Sequence, residues 1–151
     1  MRKSADVATH MQPSSNLTLL FPRSIDWNQF SLSRPDVPFA EKVVEYLNAL
    51  SASLLKDRES RMYPDVVTFA FFCRKANLLQ QKKLYTNDGQ LRLGRGVLFH
   101  IAPSNVPINF AYSLVAGLLA GNANVVRVSS KKFPQVYLVV RHILALAEVE
   151  E

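Results

Sequence analysis

Apolar residues recur at three- and four-residue steps from Phe39 to Leu55: Phe39, Val43, Val44, Leu47, Leu50, Leu54 and Leu55. That period puts them on one face of an α-helix, and Pro38 suits its first turn. A second helix is predicted from Asp65 to about Gln81, with Val66, Phe69, Ala70, Phe72, Cys73 and Ala76 facing inward. Pro64 and Asp65 are its start signals. The pattern then changes. Val97 to Ala102 is a short apolar run between Gly96 and Pro103, as a buried strand should be. Pro107 opens a helix whose apolar face includes Ile108, Phe110, Ala111, Leu114, Val115, Leu118 and Leu119. Gly121 follows it, where a left-handed C′ residue is needed. Val125 to Val128 reads as a second strand. Pro134 opens a last helix, apolar at Val136, Tyr137, Val140, Ile143, Leu144 and Ala147. The order β-α-β-α makes the two strands, most simply, parallel and adjacent. The fold class is therefore α/β, in three regions. Residues 1–34 are a loose arm with a short strand around Leu17 to Phe21. Residues 35–90 are helical, and residues 91–151 hold the β-α-β-α unit. Asn87-Asp88-Gly89 between them is a turn signal, closing a small hairpin or leading into the next strand.

Composition narrows the classes. Hydrophobic residues make up 48% of the 151-residue chain, enough for a packed core. No uninterrupted apolar run reaches the roughly 20 residues that span a bilayer. The most apolar window, Val106 to Ala120, contains Asn109 and Ser113 and suits a buried helix. The basic N-terminus, MRKSADVATHMQPSSN, has no apolar core behind it and is no secretory signal, so a cytoplasmic location is the default. Cys73 is alone, which excludes an intrachain disulfide, and His10, His100 and His142 have no metal-ligand spacing; no metal is expected. The net charge of +6 is unevenly spread. From Val66 to Ala147 there are ten basic residues and one acidic residue, Asp88, leaving +9. Such an excess points to an anionic partner: a nucleotide phosphate, nucleic acid or an acidic protein surface. The cations are spread over several elements with no aromatic-interleaved basic stripe, which disfavours nucleic acid.

Two phosphate-binding motifs are excluded. Gly94-Arg95-Gly96 precedes a strand, whereas a dinucleotide fingerprint needs its glycines after the strand, opening the helix. No GxxxxGK[ST] loop occurs. The strand-to-helix turn is instead Pro103-Ser104-Asn105-Val106-Pro107. This P-x-N-x-P turn, the apolar helix after it, Ala120-Gly121-Asn122, and the strand ending Arg127-Val128-Ser129-Ser130 resemble the aldehyde dehydrogenase superfamily. "FHIAPSNVPINFAYSL", "GLLAGNANVVRVSSKKFPQV" and "FAFFCRKANL" are closer still to the LuxC-type fatty acyl-CoA reductases, which make the aldehyde for bacterial luciferase. The resemblance covers roughly Phe39 to the C-terminus.

The resemblance implies the start of a Rossmann-type NADP-binding domain. It also implies a reaction: a cysteine thiolate takes the acyl group from an acyl-CoA or acyl-protein thioester, and NADPH reduces the resulting thioester to an aldehyde. Asn105 then corresponds to a side-chain donor to the oxyanion; as a residue read alone it is a common turn former. Ile101, Ala102, Pro103, Ser104, Arg127, Ser129, Ser130 and Lys131 fall in the implied cofactor site. Ser130 stands where the superfamily has a glutamate that repels a 2′-phosphate, and Arg127, Lys131 and Lys132 can pair with that phosphate, so the departure favours NADP(H) over NAD(H). Read alone, these charges are a solvated turn. Cys73, on an apolar helix face, reads as packing, and His100 as a satisfied core histidine. The superfamily's nucleophile lies downstream of Glu151. The chain is therefore expected to be the N-terminal part of a reductase, inactive alone, with an acyl-protein synthetase subunit and a homo-oligomer as partners of the intact enzyme. Two other readings remain open: a non-catalytic nucleotide-binding or subunit-pairing remnant, and a basic nucleic-acid-binding module.

Overall fold

The structure is a computed structural model and describes residues 18–22, 24–85 and 89–147. Helix α1 (Trp27–Ser31) is a short turn of helix capped by Asp26, whose carboxylate accepts from the Asn28 and Gln29 amides. The strand expected around Leu17 to Phe21 is not formed at residues 18–21, and Leu17 lies outside the described residues.

Helix α2 (Glu41–Lys56) is the hub. Val44, Leu47, Leu50 and Leu54 are buried on the predicted face, and α2 touches the helices α3 (Pro64–Phe72), α4 (Lys75–Tyr85), α5 (Asn109–Leu119) and α6 (Pro134–Ala147). One hydrophobic core runs through all of them. Pro38 lies outside α2, contrary to expectation. Phe39 takes a positive φ of 55° and its N–H donates to the Leu119 carbonyl at 2.7 Å, so the chain turns sharply before the helix begins.

The helix expected over Asp65 to Gln81 is two helices. α3 ends at Phe72, and α4 starts at Lys75, where Asn48 Oδ1 of α2 accepts from the Lys75 N–H at 3.0 Å. Asn77 Nδ2 also donates to the Phe72 carbonyl at 2.7 Å. These side chains satisfy the orphan groups of a helix end and start, so α4 swings back against α2. In consequence Leu78 is buried and Ala76, expected inside, is exposed.

Strands β1 (Val97–Ile101) and β2 (Ala123–Arg127) pair in parallel, with Val97 opposite Ala123 and Ile101 opposite Arg127. The second strand thus starts two residues earlier than predicted. α5 covers one face of the pair. Its helix starts after Pro107 and Ile108, which belong to the turn. The other face is uncovered among the described residues: Val97, Phe99 and Ile101 are 39%, 63% and 68% exposed. The strand expected to be buried is only half-buried on its inner side, at Leu98 and His100, because a single helical layer packs on it. The same alternation extends backward through the exposed Leu91 and Leu93.

Gly121 ends α5 with φ +80°, the left-handed C′ position predicted for it. Its carbonyl accepts from the Asp36 N–H, and the Asp36 carbonyl accepts from the Gly94 N–H, each at 2.9 Å. A Cβ on Gly94 would lie 1.9 Å from the Gly121 oxygen, so Gly94 serves backbone packing. In α6, Val136 and Ile143 are buried as expected, together with Leu138 and Val139, while Tyr137 is 52% exposed. α6 is tied to the end of α2 by a polar clasp. Asp57 Oδ2 accepts from Ser60 Oγ (2.9 Å), Ser60 N (3.2 Å), Arg141 Nη2 (3.1 Å) and His142 Nε2 (3.2 Å). His142 Nδ1 lies 2.7 Å from Ser53 Oγ.

Candidate functional site

Adjacent parallel strands deliver their C-terminal ends to one edge of the sheet, the edge at which ligands bind in open α/β sheets. Here that edge carries two loops. The first leaves β1 after Ile101. Ala102 is buried, and its N–H donates to the Arg127 carbonyl at 3.1 Å. Ile108 is also buried, so the turn between them is pinned at both ends, while Pro103, Ser104, Asn105 and Val106 are exposed. The Asn105 amide has no protein partner among the described residues, and Phe39 is the one non-glycine residue there with positive φ. A left-handed turn is thus not what places an asparagine at 105.

The second loop leaves β2 after Arg127. Ser129 is half-buried, and its Oγ accepts from the Lys131 N–H at 3.1 Å. Val128 and Phe133 pack against the core on either side, leaving Arg127, Ser130, Lys131 and Lys132 exposed. None of these three cations pairs with a described carboxylate. Hydroxyls and unpaired cations without a competing acid are the donor set a phosphate requires. The structure therefore brings Ile101, Ala102, Pro103, Ser104 and Asn105 to the same edge as Arg127, Ser129, Ser130 and Lys131, through the register of Ile101 with Arg127.

The remaining candidates lie elsewhere. Cys73 ends α3 fully buried, and burial pushes its thiol up to about 12. A thiol so placed is not a nucleophile at neutral pH. His100 points to the covered side of the sheet, half-buried, with Nε2 2.8 Å from Asn124 Oδ1. A shallow cleft of about 190 Å³ between α2 and α4 is lined by Val44, Leu79, Lys75 and Lys82 and shares no residue with the sheet edge. Sequence reasoning passed over Asn122, which is 8% exposed. Its Oδ1 accepts from the Arg95 N–H at 2.5 Å and its Nδ2 donates to the Gly117 carbonyl at 3.3 Å. The available signal was an asparagine directly after a C′ glycine, where orphan helix carbonyls need donors.

Among the described residues no helix is long and apolar enough to cross a membrane, and no three His, Cys, Asp or Glu side chains could hold a metal together. No curated protein and no solved structure matches the chain. A family model does match: that of acyl-CoA reductase (LuxC), over residues 73–150, which span α4, β1, α5, β2 and α6 and both loops of the sheet edge. The chain belongs to the LuxC family of acyl-CoA reductases.

Proposed function

We propose that this chain supplies the oxyanion donor and part of the NADP(H) site of a fatty acyl-CoA reductase, in the first β-α-β-α unit of a Rossmann-type domain. One observation carries the reading. The in-register parallel pair places the Asn105 loop and the Arg127–Lys131 loop side by side at one edge. Arg127, Lys131 and Lys132, with the Ser129 and Ser130 hydroxyls, suit the 2′-phosphate of NADP(H). Ile101, Ala102, Pro103 and Ser104 form the wall beside it. Held by these residues, NADP(H) would supply the hydride chemistry of the reduction.

The acyl group reaches that carbon in two steps. A cysteine thiolate attacks the thioester carbonyl of acyl-CoA; its S–C bond forms and the C–S bond to CoA breaks, releasing CoA thiolate. Once the acyl carbon is reduced, breaking its C–S bond to the enzyme would return the thiolate and free the aldehyde. Each addition places negative charge on the carbonyl oxygen, and Asn105 Nδ2 donates to it. Cys73 is buried with its thiol held protonated, so the thiolate comes from outside these 151 residues. The setting is cytoplasmic, and the acyl donor is acyl-CoA or an acyl-protein thioester.

The test is cofactor binding by the chain itself. NADPH binds more tightly than NADH, and Arg127→Ala weakens NADPH by about 1.5–3 kcal/mol while leaving NADH nearly unchanged, the loss of one charge-assisted bond. Equal losses for both cofactors would sink the phosphate assignment. Thioester-dependent NADPH oxidation by the chain that vanishes in Cys73→Ser would overturn the role given to that cysteine.

A further inference from the structure

A series of side-chain hydrogen bonds runs beneath the sheet, apart from the loops of the site. Asn124 Nδ2 donates to the Asn122 carbonyl at 2.8 Å, which turns Asn124 Oδ1 toward His100 Nε2, also at 2.8 Å. An amide oxygen only accepts, so His100 carries its proton on Nε2 and its neighbours set the tautomer. Asn122 extends the series to the Arg95 N–H and the Gly117 carbonyl. α5 meets it at Gly117, where an added Cβ would lie 1.8 Å from Asn124 Oδ1 and 3.0 Å from His100 Nε2. The approach to β1, the second half of β1, the start of β2 and the last turn of α5 all bear on this one polar cluster.

His100 stands two residues before Ala102, whose N–H to the Arg127 carbonyl is the rung that closes the strand pair, at 3.1 Å. Beyond that rung the backbones part, one toward Asn105 and the other toward Ser129 and Lys131. We infer that the His100–Asn124 pair, braced against Gly117, is a positioning element that keeps this last rung closed and so sets the spacing between the Asn105 loop and the Arg127–Lys131 loop. Its bearing on the reaction rests on the reading of those two loops as oxyanion donor and cofactor site. His100 touches neither loop's reacting groups; it acts through the strand ends.

Amide hydrogen exchange on the intact chain tests this. The sites compared are Ala102, at the rung, and Leu50, deep in α2. His100→Leu keeps the bulk and removes the donor, and Gly117→Ala drives a methyl into the Asn124 amide. Both speed exchange at Ala102 by about tenfold more than at Leu50, a local opening. His100→Gln restores an N–H donor and brings Ala102 back to within about threefold of the unaltered chain. Leu118→Ala loosens α5 without touching the cluster and shifts both sites together. Equal acceleration at both sites in His100→Leu, global unfolding of that variant, or failure of glutamine to rescue would each overturn the inference. NADPH affinity in the same variants falls as exchange at Ala102 rises. If the unaltered chain binds no NADPH, the reading of the loops fails, while the exchange pattern still decides the positioning role.

Discussion

Replacing Asp57 by alanine tests the clasp that joins α6 to the end of α2. The carboxylate receives bonds from the Ser60 hydroxyl and amide, the Glu59 amide at 3.3 Å, His142 and Arg141. These do not count equally. The Arg141 side chain is 56% exposed, and such a pair contributes about 0–1 kcal/mol. The His142 side chain is 12% exposed, and losing its partner costs about 1–1.5 kcal/mol. Loss of the cap on the turn at Ser60 adds about 1 kcal/mol. The sum is about 2–3.5 kcal/mol, which for a chain of this size lowers Tm by roughly 4–14 °C. Asp57→Asn keeps one carbonyl acceptor for the turn and loses roughly half as much. The pH dependence has a definite sign. Partial burial pushes the Asp57 carboxyl upward, but the hydrogen bonds from Ser60, from His142 and from the Glu59 and Ser60 amides outweigh it and hold it well below the usual carboxylate range. A depressed folded value means the stabilisation is complete above the unfolded value of about 3.9 and is lost as pH falls through the folded one. The Tm gap between the unaltered chain and Asp57→Ala is therefore constant near neutrality and narrows below about pH 4. Thermal unfolding followed by circular dichroism measures it. A gap under about 2 °C at neutral pH, or one that does not narrow on acidification, would refute the accounting.

Cys73, fully buried with its thiol pushed up to about 12, stays unlabelled by a thiol-disulfide reagent at mildly alkaline pH and reacts fully once the chain is unfolded; rapid labelling of the native chain would contradict its placement. In an active reductase containing this chain, Asn105→Ala lowers the single-turnover rate on the order of 100- to 1000-fold with little change in acyl-CoA binding. Asn105→Asp is at least as harmful, and an aspartate variant that keeps most of the rate would reduce Asn105 to a strand-to-helix corner.

Elements whose pattern was local were legible in the sequence. α2 and α6 follow from the period of their buried residues, and Gly121 marks the end of α5 because only a glycine takes φ +80° without strain. The break between α3 and α4 was not legible. Neither proline nor glycine occurs from Asp65 to Gln81, and the residue that starts α4 is Asn48, 27 positions earlier on another helix. The apolar run of β1 could not reveal that one side lacks a covering layer among the described residues, since periodicity reports side-chain chemistry and not what packs on it. At the site, the P-x-N-x-P turn was visible as a corner, and the shared edge of the two loops follows from β-α-β order. In the cluster under that edge only Asn122 left a signal, as an asparagine directly after a C′ glycine; the bond of Asn124 to His100 was hidden, because an asparagine after a helix reads as a turn former wherever its side chain goes. The clasp was hidden too: Asp57 and His142 are 85 positions apart, and nothing local to either names the other.

Among the described residues one side of the sheet is uncovered, and that side bears on how this chain behaves as a colloid. Phe99 and Ile101, with Val97 beside them, present a flat apolar strip to water, and strips of that kind attract one another whenever molecules approach closely. What holds copies apart is the net charge of +6, which vanishes toward the isoelectric point of about 9.7 and is screened within about 3 Å in molar salt. Dispersion is therefore best in dilute, neutral or mildly acidic buffer. Alkaline or high-salt conditions remove the repulsion, leave the strip intact and turn a soluble preparation cloudy.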